Sequence, residues 1–244
     1  MKPVVLCGGE GSRLRPLTYY FQKTMVPIGR EQRPLLEYIL RHIKMHGFDE
    51  AVLLIGYKGE QVVNYFEDGG RVGLRLSYVW DTDKVRGTCD SIRNAYHQGA
   101  FTDDETLLVY YGDILTNLDL SALAAKHHEE NAAATLAVSP RFQLPVGVVE
   151  TENSRVKRMK EKPFIDILVT IGILVLEART LKTATTTVDI MSDLIPALIE
   201  SGEKVAAYVS EAFWYDVGTT EKYEKLTNEI VDNYLNTLKT SVKR

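Results

Sequence analysis

Cysteine is scarce in this chain. Of its 244 residues only Cys7 and Cys89 carry thiols, far apart and outside any C-x-x-C pair, which excludes a disulfide framework and supplies no zinc ligand set. Long apolar runs are missing as well. The most apolar stretch, around Ile167 to Leu176, falls well short of the roughly 20 residues needed to cross a bilayer, and residues 1–20 lack the apolar core of a secretory signal. Positive charge is in deficit, with 29 Lys+Arg against 33 Asp+Glu and a net charge of −4, so no global field is available to hold a nucleic-acid backbone. These absences predict a soluble protein of the reducing cytoplasm, with no nucleic-acid and no membrane partner. Any anion it binds must be held by a local cluster. Repeats, low-complexity tracts and linkers are also lacking, and 45% hydrophobic residues are enough to bury one large core, so residues 1–244 read as a single domain.

Strand-like and helix-like segments alternate through the first half. Val4 to Leu6 precedes a glycine loop, and from Leu35 to His46 apolar residues at 35, 36, 39, 40 and 43 form one helical face. Ala51 to Ile55 reads as a buried strand, Glu60 to Phe66 as a short helix, Leu74 to Val79 as a strand, Ser91 to Ala100 as a helix, and Thr106 to Tyr110 as a strand ending at Gly112-Asp113. This rhythm predicts an α/β fold with a parallel sheet, whose ligands sit beyond the carboxyl ends of the strands. The second half changes character: Ala134 to Ser139, Val146 to Glu150, Arg155 to Met159 and Val169 to Leu176 are strands with short connections, predicting a mixed or antiparallel lobe and a second wall for a cleft. A helix over Ser192 to Glu200, a strand over Val205 to Val209 and a long terminal helix follow. The last has apolar residues at 223, 226, 230, 231, 234, 235 and 238, a stripe that suits core packing and also a subunit contact.

Residues 7–18 read CGGEGSRLRPLT. Glycines after a buried strand let backbone N–H groups turn toward an anion without a Cβ in the way. No third glycine completes G-x-G-x-x-G, no Gly-Lys-Ser/Thr follows at P-loop spacing, and Pro16 argues against a helix opening directly from the loop. By its glycines alone the segment is either a phosphate loop or a flexible turn with solvent-facing arginines.

The wider context decides between them. GGEGSRLRPLT followed by Lys23 in QKTMVPIG resembles the sugar-1-phosphate nucleotidyltransferase family, which makes nucleotide sugars from a nucleoside triphosphate and a sugar 1-phosphate. Arg86-Gly87-Thr88-Cys89 resembles its Leu-Gly-Thr-Ala, Gly112-Asp113-Ile114 its Gly-Asp-Ile/Asn, and Val146-Gly147-Val148-Val149 its Tyr/Phe-Gly-Val-Val. Glu161-Lys162-Pro163 resembles its Glu-Lys-Pro, and Trp214 to Thr219 its Trp-x-Asp-Ile/Val-Gly-Thr. The motifs run in the family's order over about residues 3–225.

The resemblance implies a Rossmann-like, mostly parallel sheet flanked by helices with a mixed or antiparallel sugar-binding lobe, the nucleotide-diphospho-sugar transferase fold. It implies a nucleotide-binding part over 1–115, a sugar-binding part carrying the second metal ligand over 116–220, and a C-terminal helix over 221–244. Arg13 and Lys23 become the catalytic candidates. Leu6, Gly8, Gly9, Gly11, Ser12, Gly87 and Thr88 become candidates for the nucleotide, with Gly87 against the base; Gly147, Glu161, Lys162 and Gly172 for the sugar phosphate; and Asp113 and Asp216 for Mg²⁺. The implied reaction is nucleotidyl transfer to a hexose 1-phosphate, as in mannose-1-phosphate guanylyltransferases or glucose-1-phosphate uridylyl- or thymidylyltransferases. Relatives are often dimers or tetramers, so a homo-oligomer is compatible with the chain. A C-terminal acetyltransferase β-helix is not expected.

Departures from the pattern mark where substrate contacts are open. Thr24 replaces the proline after the lysine and is expected to loosen it, Val146 replaces an aromatic, and Thr170-Ile171-Gly172 stands where Asn-Ala-Gly is common. Cys89-Asp90 replaces Ala-Gly near the expected nucleoside. Other signals read as ordinary: His127-His128-Glu129-Glu130 as a solvated helix end, Cys7 as a small loop residue, and Asp81-Thr82-Asp83 as a chance Asp-x-Asp. Two alternatives stand beside the main reading. One is a non-catalytic nucleotide-sugar-binding regulator, which the presence of Arg13, Lys23, Asp113 and Asp216 disfavours, and the other is a glycosyltransferase using Asp81 and Asp83, which leaves the opening loop unexplained.

Overall fold

The computed structural model describes residues 1–182 and 188–241, with side chains to Leu238. The end of the expected terminal helix, 242–244, lies outside the described residues. The elements run β1 (Lys2–Cys7), β2 (Pro27–Ile28), β3 (Arg33–Pro34), α1 (Leu35–Met45), β4 (Glu50–Ile55), α2 (Gly59–Phe66), β5 (Arg75–Trp80), α3 (Thr88–His97), β6 (Thr106–Tyr111) and β7 (Ile114–Thr116). They continue as α4 (Leu120–Glu130), β8 (Ala134–Ser139), β9 (Phe142–Gln143), β10 (Val148–Glu152), β11 (Arg155–Lys160), β12 (Phe164–Ile165), β13 (Val169–Glu177), α5 (Ile195–Glu200), β14 (Val205–Val209), β15 (Trp214–Asp216), α6 (Thr220–Lys225) and α7 (Asn228–Ser241).

A seven-stranded sheet in the order β14-β8-β13-β6-β1-β4-β5 forms the frame. Strand β1 pairs in parallel with both β4 and β6, and β4 in parallel with β5, which is the predicted parallel half. Strand β13 runs antiparallel to β6 and β8 and so carries the sheet into the second half of the chain. The predicted second lobe is therefore divided: β8, β13 and β14 extend the main sheet, while β10–β11 and β9–β12 form separate two-stranded pieces.

Alternation along the strands sends side chains to two cores. Val5, Leu53, Ile55, Leu108 and Tyr110 pack with α1 and with Val231, Tyr234 and Leu238 of α7 on one face. Val4, Val52, Leu54, Leu107 and Val109 pack with Ile92 and Ala95 of α3 and Leu198 of α5 on the other. The terminal stripe is thus used to bury α7, and the helix predicted to be continuous is broken between Lys225 and Asn228. Helix α3 begins at Thr88 rather than at Ser91, because the Thr88 hydroxyl donates to Asp189 (2.8 Å) and accepts from the Ile190 backbone (2.9 Å), fixing the first turn. Among the described residues no helix is long and apolar enough to cross a membrane.

Two minor readings are corrected here. The His127-His128-Glu129-Glu130 segment is only partly a solvated helix end, since His127 is 2% exposed and its ring bonds Thr135 Oγ1 and Glu177 Oε1, both at 2.9 Å. Cys7 is the last residue of β1, fully buried, and burial pushes its thiol up to about 12, so it is inert core and no part of the loop.

Candidate functional site

The parallel strands end at a cavity of about 730 Å³, where a doubly wound sheet is expected to take its ligand. The glycine loop leaves β1 at its edge. A Cβ on Gly8 would lie 2.1 Å from Asp81 Oδ2, so glycine lets the loop pass the end of β5 without displacing that carboxylate, and Gly9 faces open space. Gly11 adopts φ +63°, followed by a single 3₁₀ turn over Ser12–Leu14, in agreement with a loop that does not run straight into a helix.

Lys23 is held in the cavity by its neighbours. The Gln22 side chain is fully buried; its amide donates to the Cys7 carbonyl, and its Oε1 accepts from the Thr24 backbone (2.5 Å) and the Thr24 hydroxyl (2.7 Å). Thr24 therefore anchors the turn through an N–H that proline would lack, which corrects the expectation that its presence loosens the lysine. From this base the Lys23 ammonium reaches across to the carboxylate of Asp113, forming an ion pair largely shielded from solvent. Asp113 follows β6 at Gly112, where a Cβ would meet the Leu6 carbonyl oxygen at 2.6 Å.

Asp216 comes to the same region through the sheet. Strand β15 pairs antiparallel with β7, setting Asp216 opposite Ile114, and the Val217 N–H donates to the Asp113 carbonyl at 2.8 Å. The Asp216 carboxylate pairs with Lys222 of α6 at 2.5 Å. Thr220, at the start of α6, donates to the carbonyls of Arg13 (3.4 Å) and Arg15 (3.2 Å), tying the opening loop to this segment. Two carboxylates on neighbouring chain segments suit a hard, oxygen-preferring cation that keeps several waters, so the residues fit Mg²⁺. Among the described residues no third acidic, histidine or cysteine group joins them, leaving water and phosphate oxygens to complete such a shell.

The structure gathers Leu6, Gly8, Gly9, Lys23, Gly87, Thr88 and Asp113 around the cavity. Gly11, Ser12, Arg13 and Asp216 are not among its lining residues, and the Arg13 side chain is exposed on the loop. The sugar-phosphate candidates also lie outside it. Gly147 and Glu161 are neighbours, a Cβ on the glycine falling 2.9 Å from Glu161 Oε2, and they sit with Lys162 at the base of the exposed β10–β11 hairpin. Gly172, at φ +75°, packs against Ile114 of β7. Cys89 and Asp90, expected near the nucleoside, turn away from the cavity. Cys89 is fully buried in the core, and Asp90 pairs with Arg86 at 3.2 Å and Arg93 at 3.0 Å.

Sequence reasoning missed the supports. Gln22 stands between an aromatic run and a lysine with no pattern around it, and Tyr57 and Trp80 line the cavity from the ends of β4 and β5; Asp81-Thr82-Asp83, read from sequence as a chance triplet, lines it as well. Burial pushes the Asp81 carboxyl up, against the lowering effect of a hydrogen bond from Ser91.

Comparison with known proteins gives a consistent picture. A family model described as nucleotidyl transferase matches residues 2–233. The chain is 30% identical over 241 residues to the UTP–glucose-1-phosphate uridylyltransferase of Synechocystis, covering 91% of this chain and 61% of that one. It is 32% identical over 239 residues to the mannose-1-phosphate guanylyltransferase of Mycobacterium tuberculosis, covering 93% and 64%. The chain thus spans somewhat under two thirds of the length of these relatives. Among solved structures, HddC from Yersinia pseudotuberculosis superposes with a TM-score of 0.73 at 19% identity, covering 94% of this chain and 99% of that one.

Proposed function

The chain belongs to the nucleotidyl transferase family, and from that premise we propose that it transfers a nucleotidyl group from a nucleoside triphosphate to a hexose 1-phosphate, forming a nucleotide sugar and pyrophosphate. The observation that carries this reading is the meeting of the glycine loop, Lys23, Gly87 and Asp113 around one cavity. Both substrates are polyanions, so the chain must chiefly offset charge and align the attack of a sugar-phosphate oxygen on the α-phosphorus.

Lys23 supplies a compact cation, already largely shielded from water, that follows negative charge as it grows on the α-phosphoryl oxygens. The open face at Gly9 lets the loop backbone approach phosphate. Arg13, exposed on the opening loop outside the cavity lining, would fold over the outer phosphates once they bind. Glu161 accepts from sugar hydroxyls and Lys162 holds the sugar phosphate, with Gly147 and Gly172 keeping that wall free of side chains. Asp113 and Asp216 would hold Mg²⁺, which would offset charge on the phosphoryl oxygens. A cytoplasmic setting, where both substrates are made, accords with this reading.

The test is pyrophosphate release with Mg²⁺ across several triphosphates crossed with glucose, mannose, galactose and N-acetylglucosamine 1-phosphates. Release that requires both substrates is expected. Lys23→Ala should lower turnover by about 10²- to 10³-fold, much more than it lowers folding stability. Binding of a nucleotide sugar without pyrophosphate release in any pair would favour a regulatory role instead.

A further inference from the structure

Two groups on the cavity wall suit opposite ends of a nucleotide. Lys23 attracts phosphate, whereas Asp81 repels it. Asp81 continues β5 by one residue, its N–H donating to the Ile55 carbonyl at 2.7 Å, which fixes its backbone to the sheet. The side chain is fixed as well: Oδ1 accepts from the buried Ser91 hydroxyl at 2.7 Å. Oδ2 is turned over Gly8 and has no hydrogen-bond partner among the described residues, and no described lysine, arginine or histidine pairs with the carboxylate. A partly buried, oriented carboxylate without a cation is an acceptor waiting for N–H donors, and burial has already raised its affinity for a proton.

A triphosphate has no such donors, but a nucleobase does. Guanine presents two adjacent donors, N1–H and the N2 amino group, which match the two lone-pair directions of a carboxylate. Uracil and thymine place a single N–H between two carbonyls that the carboxylate repels, while cytosine and adenine set one amino group beside a ring-nitrogen acceptor. The named relatives act on different bases, so likeness alone does not choose among them. We propose that Asp81 reads the Watson–Crick edge of the base and makes guanosine triphosphate the preferred nucleotide. This rests on the nucleotidyl-transfer reading given above and narrows it to one base.

The test is equilibrium binding of GTP, ITP, UTP, CTP and ATP, with Mg²⁺ present and no sugar phosphate. GTP should bind at least about ten-fold more tightly than the pyrimidine triphosphates and ATP, with ITP, which lacks the N2 amino group, in between. Asp81→Asn keeps the shape and the bond to Ser91 but replaces one acceptor with a donor, so it should collapse the GTP-to-UTP ratio. Equal affinities in the wild type, or an unchanged ratio in a folded Asp81→Asn protein, would overturn the assignment. Should that variant not fold, Ser91→Ala decides: a narrowed GTP-to-ITP ratio supports the role and an unchanged one refutes it. Equal rates of pyrophosphate release with every base would defeat only the base assignment, whereas absence of binding by any triphosphate would defeat nucleotidyl transfer as well.

Discussion

Gln22 carries no charge and makes no predicted contact with substrate, yet three polar groups of the cavity floor converge on its amide. Leucine in its place would leave the Cys7 carbonyl and the Thr24 N–H without their side-chain partner in a buried setting. We expect Gln22→Leu to destabilise the fold by about 2–4 kcal/mol in urea denaturation, since each buried group left unpaired costs about 1–3 kcal/mol and some of that is recovered by relaxation. Turnover should fall by more than the loss of folded protein accounts for, because Lys23 loses the turn that aims it at Asp113; activity normalised to folded protein measures this. Lys23 and Asp113 were legible in the sequence because their neighbours form a recognisable pattern. Gln22 was not, because a buried glutamine has no periodicity and its partners are backbone groups that sequence does not single out.

At the scale of elements, helix α1 is tied to the sheet through a buried ring. His42 donates from Nε2 to the Leu118 carbonyl at 2.9 Å and accepts at Nδ1 from the Tyr110 hydroxyl at 3.3 Å, bridging α1 to β6 and to the turn after β7. Burial lowers its pKa from the ordinary 6.5 to about 3, so it stays neutral in the fold while the unfolded chain protonates it. The unfolded state binds more protons between these values, so the contribution is fully present above about pH 6.5 and is lost as pH falls toward 3. From this group alone the unfolding free energy should drop by about 2 kcal/mol between pH 7 and pH 5, and His42→Gln should flatten the slope across that interval. The helix itself was legible from its apolar face. The polar tie was not, because only the pairing of β6, α1 and the β7 turn in space brings Tyr110, His42 and Leu118 together.

At the scale of the molecule, the chain divides the proposed work between a packed frame and a thin appendage. The nucleotide candidates Leu6 and Gly8 and the metal candidate Asp113 sit at strand ends of the main sheet, whose two cores hold them in place, while the catalytic candidate Lys23 and the nucleotide candidate Gly87 face the same cavity from the connecting segments. The sugar-phosphate candidates Glu161 and Lys162 sit beside β10–β11, in which every residue is exposed. The order of motifs made both groups legible in sequence, but the sequence did not show that strands β8 and β13 join the main sheet while this hairpin stands apart. Such a hairpin buries little apolar surface, so it adds little to stability while the position of the proposed sugar site depends on it. Replacing residues 150–158 with a two-residue Asn-Gly turn keeps the Val148–Lys160 and Val149–Met159 pairs at its base. The shortened protein should unfold within about 1 kcal/mol of the parent and bind nucleoside triphosphate with unchanged affinity. Its KM for sugar 1-phosphate should rise by about ten-fold or more, because Glu161 and Lys162 lose the lever that orients them. Loss of nucleotide affinity together with stability would instead mean that the hairpin belongs to the frame, and the division between the two halves of the substrate would fail.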